Sequence, residues 1–352
     1  MALFERTTPR LVEPDTEDNL QRLFLENNWT DGLPIVLPTE KRVAAMLAHT
    51  SRKPDEIVGR MQPVEFRVAW EYTVEKVAVN AVMAGAKPEY FPVILALAAS
   101  QVTARSSTSS SASAMVIVNG PIRGEIGMNA GIGAMGPYNH ANATIGRAYG
   151  LLSQNLQGGS EPGVTFMGSQ GNSHAYNNVT FAENEERSPW EPLHVQKGFK
   201  PTDSTVSIFW GCRSTTFTLS LREHWQEHVR DMLAGTDAIS APCLLLDPLA
   251  ARQFIDRGGF DTKAKLIRWI HEYAEMPAGR FWDLQLAQNY VYPWATFGKQ
   301  PMATWLEARA DQLIRFFPEQ EINVVVVGGE ANPYWQIMGA KYRKTVSIDE
   351  WR

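Results

Sequence analysis

Carboxylates, an indole and an imidazole crowd one proline-stiffened stretch, Phe181-Ala182-Glu183-Asn184-Glu185-Glu186-Arg187-Ser188-Pro189-Trp190-Glu191-Pro192-Leu193-His194. It follows a β-prone run, and loops in that position commonly present acid/base groups. Period-two alternation aims Glu183 and Glu185 to one side if the strand continues. Burial of a carboxyl beside an indole favours the acid role, and an imidazole titrates near neutrality unaided. Glu183, Glu191 and His194 are therefore the expected proton-moving residues, with Asn184 and Trp190 lining the substrate. Glu186 and Arg187 are expected to face solvent. A solvated acidic turn with a packed Trp and a hydrogen-bonded His is the bland alternative.

A second constellation begins at Val118-Asn119-Gly120-Pro121 and runs through Gly124, Gly127, Gly131, Gly133 and Gly136 to Tyr138-Asn139-His140-Ala141-Asn142-Ala143-Thr144-Ile145-Gly146-Arg147. A buried strand that delivers the chain to a glycine loop and then to a helix start makes backbone N–H groups converge, and a helix N-terminus favours an anion. Arg147, one turn in, adds a guanidinium suited to a carboxylate or phosphate. Asn119, Gly120, Arg123, Asn142, Thr144 and Arg147 are the expected substrate-binding residues. The competing reading makes the glycines turn positions and Asn142 a helix cap. No Gly-Lys-Ser/Thr follows, and the glycine spacing misses GxGxxG, so neither nucleotide fingerprint is present.

A third candidate is His224-Trp225-Gln226-Glu227-His228. Two imidazoles four residues apart share a helix face, and H-x-x-E-H is an arrangement that binds zinc with the carboxylate as base. The flanking Arg222, Glu223, Arg230 and Asp231 equally suit a solvated helix. No cofactor is expected, a divalent metal at His224, Glu227 and His228 being the alternative. Smaller signals are Gly328-Gly329 after a valine strand, Cys212 beside the cation of Arg213, and Ser169, whose Gly168-Ser169-Gln170-Gly171 setting lacks the full G-x-S-x-G elbow.

Regular elements must position these groups. Residues 15–28 carry a one-sided apolar helix stopped near Gly32, and Thr39 caps a second helix over 40–49. Residues 73–101 read as two buried helices with a sharp turn at Gly85, and Arg105 to Ala114 as a flexible Ser/Thr connection. Buried strands are expected at Met115 to Val118, Thr205 to Trp210, Cys243 to Leu246 and Ile322 to Val327, with shorter β-prone pieces at Val164-Thr165-Phe166 and Asn178 to Phe181. Helices are expected over 142–157, 249–257, from Asp261 or Thr262 through Tyr273, and from Tyr334 to Met338. The recurrence of strand, glycine turn and helix predicts an α/β fold: a layered, mixed or partly parallel sheet flanked by helices, with an N-terminal helical extension. Residues 1–114 form that helical region, 115–240 the Gly/Asn-rich half with the candidate site, and 241–352 the C-terminal half.

The 352 residues are 44% apolar and 20% charged, enough to close a core without disulfides or metals. The formal charge of −5 and the absence of basic blocks interleaved with aromatics argue against nucleic acid and anionic membranes as partners. No apolar run nears the ~20 residues that span a bilayer, and Met-Ala-Leu-Phe-Glu-Arg does not read as a signal peptide. With only Cys212 and Cys243, a reducing, cytoplasmic compartment is expected. The expected function is an enzyme acting on a small polar or anionic substrate by acid/base chemistry, of lyase or hydrolase type. A homodimer is the default assembly. The Trp and Tyr content equally suits a non-catalytic subunit with a large contact surface.

Trp29-Thr30-Asp31-Gly32-Leu33-Pro34, Val74 to Gly85, Val118-Asn119-Gly120-Pro121-Ile122-Arg123, Asn142-Ala143-Thr144-Ile145-Gly146-Arg147, Ala182-Glu183-Asn184-Glu185 and Ser188-Pro189-Trp190-Glu191-Pro192 resemble, over nearly the whole chain, a poorly characterised bacterial family that accompanies or is fused to UGSC-type (seleno)protein domains. Two positions depart from the family pattern: Ala86 stands where a cysteine is common, and His140 where an arginine is. No Sec/Cys-Gly-Ser-Cys signature is present. The resemblance implies a thiol- or selenol-bearing partner subunit rather than thiol chemistry in this polypeptide.

Overall fold

A computed structural model describes residues 15–61, 70–105, 111–158, 162–164, 166–213, 215–236 and 240–352. Half of the Ser/Thr connection (106–110), Thr165 of the Val164 to Phe166 piece and the first six residues lie outside that set.

The N-terminal elements start where hydroxyl caps put them. Thr16 accepts from the Asn19 amide at the start of α1 (Glu17–Glu26), and Thr39 from that of Arg42 at the start of α2 (Glu40–Leu47). A hairpin of β1 (Ile57–Met61) and β2 (Trp70–Thr73) leads into α3 (Val74–Met83), capped by Thr73; α4 (Phe91–Ala99) follows. Both α3 and α4 are buried almost all round, as their Ala/Val-rich sequence dictates.

The rest builds two sheets. The chain runs through β3 (Ser113–Asn119), a short α5 (Ile122–Glu125), α6 (His140–Leu156), β4 (Thr180–Ala182), α7 (Leu193–Gln196), β5 (Thr205–Cys212) and β6 (Thr215–Leu219). After α8 (Trp225–Ala234) come β7 (Pro242–Leu246), α9 (Pro248–Gly258) and α10 (Lys263–Tyr273). An excursion follows, in which β8 (Glu275–Pro277) and β9 (Leu313–Arg315) pair around α11 (Ala278–Asp283), α12 (Tyr292–Thr296) and α13 (Met302–Glu307). The chain then forms β10 (Asn323–Val326), β11 (Tyr334–Gly339) and β12 (Lys341–Ser347).

Strand orders are β12-β5-β3-β4 and β10-β7-β11-β6. In the first, β3 is parallel to β4 and antiparallel to β5; in the second, β7 is parallel to β10 and antiparallel to β11. Each half thus repeats one plan, strand, helical crossover, parallel strand, antiparallel strand. The strand that follows each plan is exchanged: β6 pairs with β11 of the other half, and β12 with β5.

Alternation along the strands sorts the core into three parts. Ala114, Val116, Val118, Val206 and Ile208 face α3, α4 and α6. Met115, Ile117, Phe181 and Phe209 meet Cys243, Leu245, Val325 and Met338 between the sheets. Leu244, Leu246, Val324, Val326, Trp335 and Ile337 face α8, α9 and α10. The result is a helix, sheet, sheet, helix stack, an α/β fold with mixed sheets and helices at its N-terminal end. Tyr334 to Met338, expected as a helix, is a strand, because Trp335 and Ile337 point to the outer helices while Met338 points between the sheets, a period of two. Among the described residues no helix is long and apolar enough to cross a membrane.

The segment after α1 is strapped to α6 by one ion pair. Arg147 donates from Nε and Nη2 to the two Asp31 carboxylate oxygens, at 3.0 and 2.9 Å, and from Nη2 to the Pro34 carbonyl at 2.8 Å. Burial works to raise the Asp31 pKa, and the hydrogen bonds and charge of Arg147 outweigh it and bring the pKa below its usual value. A lowered carboxyl pKa gives stability that is present above the unfolded value near 3.9 and lost as pH falls through the folded one. Arg147→Met should therefore cost about 1.5–3 kcal/mol at neutral pH, and the gap to wild type should narrow below about pH 4. Urea unfolding at both pH values measures this; an equal gap at both excludes an ionic strap.

Candidate functional site

The carboxyl end of β3 and the chain leaving β4 bring two of the predicted stretches together. Glu183 is fully buried, and both its oxygens are taken. Its Oε2 accepts from Asn119 Nδ2 at 2.6 Å and the Leu193 amide at 2.7 Å, and its Oε1 accepts from Lys263 Nζ at 3.1 Å. Glu185 Oε1 accepts from Asn119 Nδ2 at 2.9 Å and the Gly120 amide at 2.8 Å, while its Oε2 lies 3.0 Å from Arg123 Nη2. Arg123 also donates to the carbonyls of Gly120 and Glu183 and to the exposed carboxylate of Glu186. Gly120, with φ of +83°, lies so close to Asp203 that a Cβ would run into its backbone carbonyl. His194 is fully buried 4.0 Å from Glu185 Oε1; among the described residues neither ring nitrogen has a hydrogen-bond partner, and Asn119 Oδ1 has none either.

Asn119, Gly120, Arg123 and Glu183 thus meet in one hydrogen-bonded network with Lys263, which the sequence did not single out, and His194 packs beside it without a bond to it. Asn184 sits at its edge and ties the end of β4 to that of β10, its amide donating to Val326 O and its Nδ2 to Gly328 O. The remaining candidates lie elsewhere. Asn142 is a buried staple of the glycine loop: its side chain bonds the Asn129 amide and carbonyl and the Ala134 carbonyl, and Asn139, not Asn142, caps α6. Thr144 donates to His140 O within its own helix, and Arg147 spends its guanidinium on Asp31 rather than on an anion from outside. Trp190 packs against the outer helices of the second sheet with its Nε1 on Phe260 O, and Glu191 is exposed. Gly124, Gly127 and Gly133 face open space, so these glycines serve turns rather than close approach.

His224 and Glu227 are exposed and 3.8 Å apart, with His224 outside α8 as its N-terminal flank. Among the described residues no group of three His, Cys, Asp or Glu is placed to share an ion. Both thiols are buried; desolvation pushes Cys212 up to about 12, against the effect of Arg213, and raises Cys243 as well.

A cleft of about 380 Å³ opens elsewhere along the seam between the sheets. Its walls are Met135, Ser173, His174, Asn177 and Val179 from the first half, Thr215 from β6, and Gln336 and Met338 from β11. None of these carries a carboxylate, ammonium or guanidinium. Asn172 Nδ2 donates to Cys212 O at 2.7 Å, which leaves Asn172 Oδ1 as the acceptor for the His174 amide at 3.0 Å and for its ring Nδ1 at 3.0 Å. That fixes the proton on Nδ1 and turns the Nε2 lone pair toward Thr215 Oγ1, 3.4 Å away. Burial lowers the His174 pKa and keeps the ring neutral, the form a base requires. The sequence reading passed over Asn172, His174 and Thr215; Asn-x-His is a local signal, but Thr215 is distant in sequence and joins only through the sheet. No protein-family model matches the chain, and no curated protein and no solved structure matches it.

Proposed function

We propose that the protein is a hydrolase acting on small polar substrates by acid/base chemistry, with His174 as the general base in the cleft between the sheets. The observation that carries this reading is the imidazole itself: neutral, oriented through Nδ1 by Asn172, with Nε2 turned to a hydroxyl in a cavity of ligand size. A base oriented by a third group and facing a hydroxyl is the arrangement nucleophilic hydrolysis uses. Chromogenic esters such as p-nitrophenyl acetate test it. His174→Ala should lower the rate at least about 100-fold, the lower end of what a positioned base contributes, without a change in melting temperature. Equal rates in the two proteins rule the assignment out.

A second reading keeps the proton chemistry at His194, on the strength of its two unpaired nitrogens beside Glu185, Arg123 and Lys263. The same assay separates the two. His194→Ala should leave ester hydrolysis intact under the first reading and abolish turnover under the second.

A further inference from the structure

Resting on the reading of the cleft as a hydrolytic site, we propose that Thr215 is its nucleophile, carrying the acyl group covalently during turnover, and that the substrates are uncharged esters of short apolar acids. Thr215 Oγ1 is the hydroxyl that stands within hydrogen-bond reach of His174 Nε2, at a distance typical of a site without substrate. It is carried on β6, whose register against β11 pairs Thr215 with Met338 and holds the hydroxyl on a rigid element. The base sits on the opposite wall, on a turn capped by Asn172, so nucleophile and base reach the cleft from separate elements with the imidazole orientation already set.

The step balances without a cofactor. Thr215 Oγ1 attacks the ester carbonyl carbon as its proton passes to His174 Nε2. The carbon–oxygen bond to the alcohol then breaks, and the alcohol leaves with that proton. Water attacks the threonyl ester, gives its proton to His174, and the free acid departs as Thr215 recovers its hydrogen. Gln336 faces the same space, and its Nε2 donates to the Met135 thioether at 3.1 Å, a weak acceptor that an anionic oxygen readily replaces.

Substrate class follows from the walls. With no charged side chain among the described residues that line the cleft, an ionised substrate would shed its hydration without a counter-charge. Val179, Met135 and Met338 supply apolar and polarisable surface for an acyl chain, and the volume lies at the small end of ligand cavities.

The test uses the full chain with p-nitrophenyl acetate. Mass spectrometry after an acid quench should find one acetyl group on the peptide containing Thr215. Thr215→Val should lose that adduct and slow turnover by about 100-fold or more, Thr215→Ser should retain both, and the Thr215→Val/His174→Ala double variant should be no slower than either single one, because the pair acts as a unit. Wild-type turnover in Thr215→Val while His174→Ala is inactive overturns Thr215 as nucleophile and leaves the base in place. Undiminished turnover in both variants overturns both readings. Hydrolysis of p-nitrophenyl hemisuccinate as fast as that of the neutral butyrate ester overturns the substrate class.

Discussion

Lys263→Met is expected to destabilise the protein by about 3–5 kcal/mol, the range for removing one member of a buried ion pair. Both side chains are fully buried, and among the described residues the ammonium is the only cation on the Glu183 carboxylate, whose other oxygen is held by neutral donors, the Asn119 amide and the Leu193 backbone. Methionine fills much of the lysine volume, so the loss is electrostatic rather than a cavity. Adding Glu183→Gln to Lys263→Met should restore part of the stability, because an amide in that position no longer carries an uncompensated charge. Denaturant unfolding of the three variants measures the cycle; a cost under about 1 kcal/mol for Lys263→Met would show that the pair contributes no more than an exposed one.

Gly120→Ala comes next, at about 3–5 kcal/mol, from two sources that add. The residue has φ of +83°, where an L side chain is strained, and the new methyl would meet the Asp203 carbonyl and lie 2.9 Å from Ser204 Cα, both backbone, so no rotamer change relieves it. Any relief moves the Gly120 amide, which is bonded to Glu185, and loosens the network around Asn119. The melting temperature and the unfolding midpoint both report it. An alanine variant as stable as wild type would mean that the approach of Gly120 to residues 203–204 is not maintained in solution.

Much of the architecture was legible because strands and helices here follow their periods. Thr16, Thr39, Thr73, Asp247 and Thr262 cap helices with their own side chains, and Met115 to Val118 and Cys243 to Leu246 are uninterrupted apolar runs that form central strands. What was not legible depends on partners far along the chain. Tyr334 to Met338 has the composition of either a strand or a helix turn, and only its pairing with β7 and β6 decides. In the candidate site, the joining of Asn119 with Glu183 followed from each lying at or just past the end of a buried strand. Lys263 carried no such signal, since a lysine at the start of a helix ordinarily faces water. Arg147 and Asn142 look like ligand-binding residues by type, but their partners turned out to be Asp31 and the glycine loop's own backbone.

The exchange of β6 and β12 between the halves bears on how the polypeptide is assembled. During vectorial synthesis on the ribosome, β3, β4 and β5 emerge early, yet the outer rim of their sheet stays open until residues 341–347 have been made. For that whole interval the flank of β5 is a bare template on a nascent chain, open to pairing with another chain. Once β12 docks, neither lobe can peel away without unzipping a strand that belongs to the other, so local opening of one lobe is coupled to loss of both.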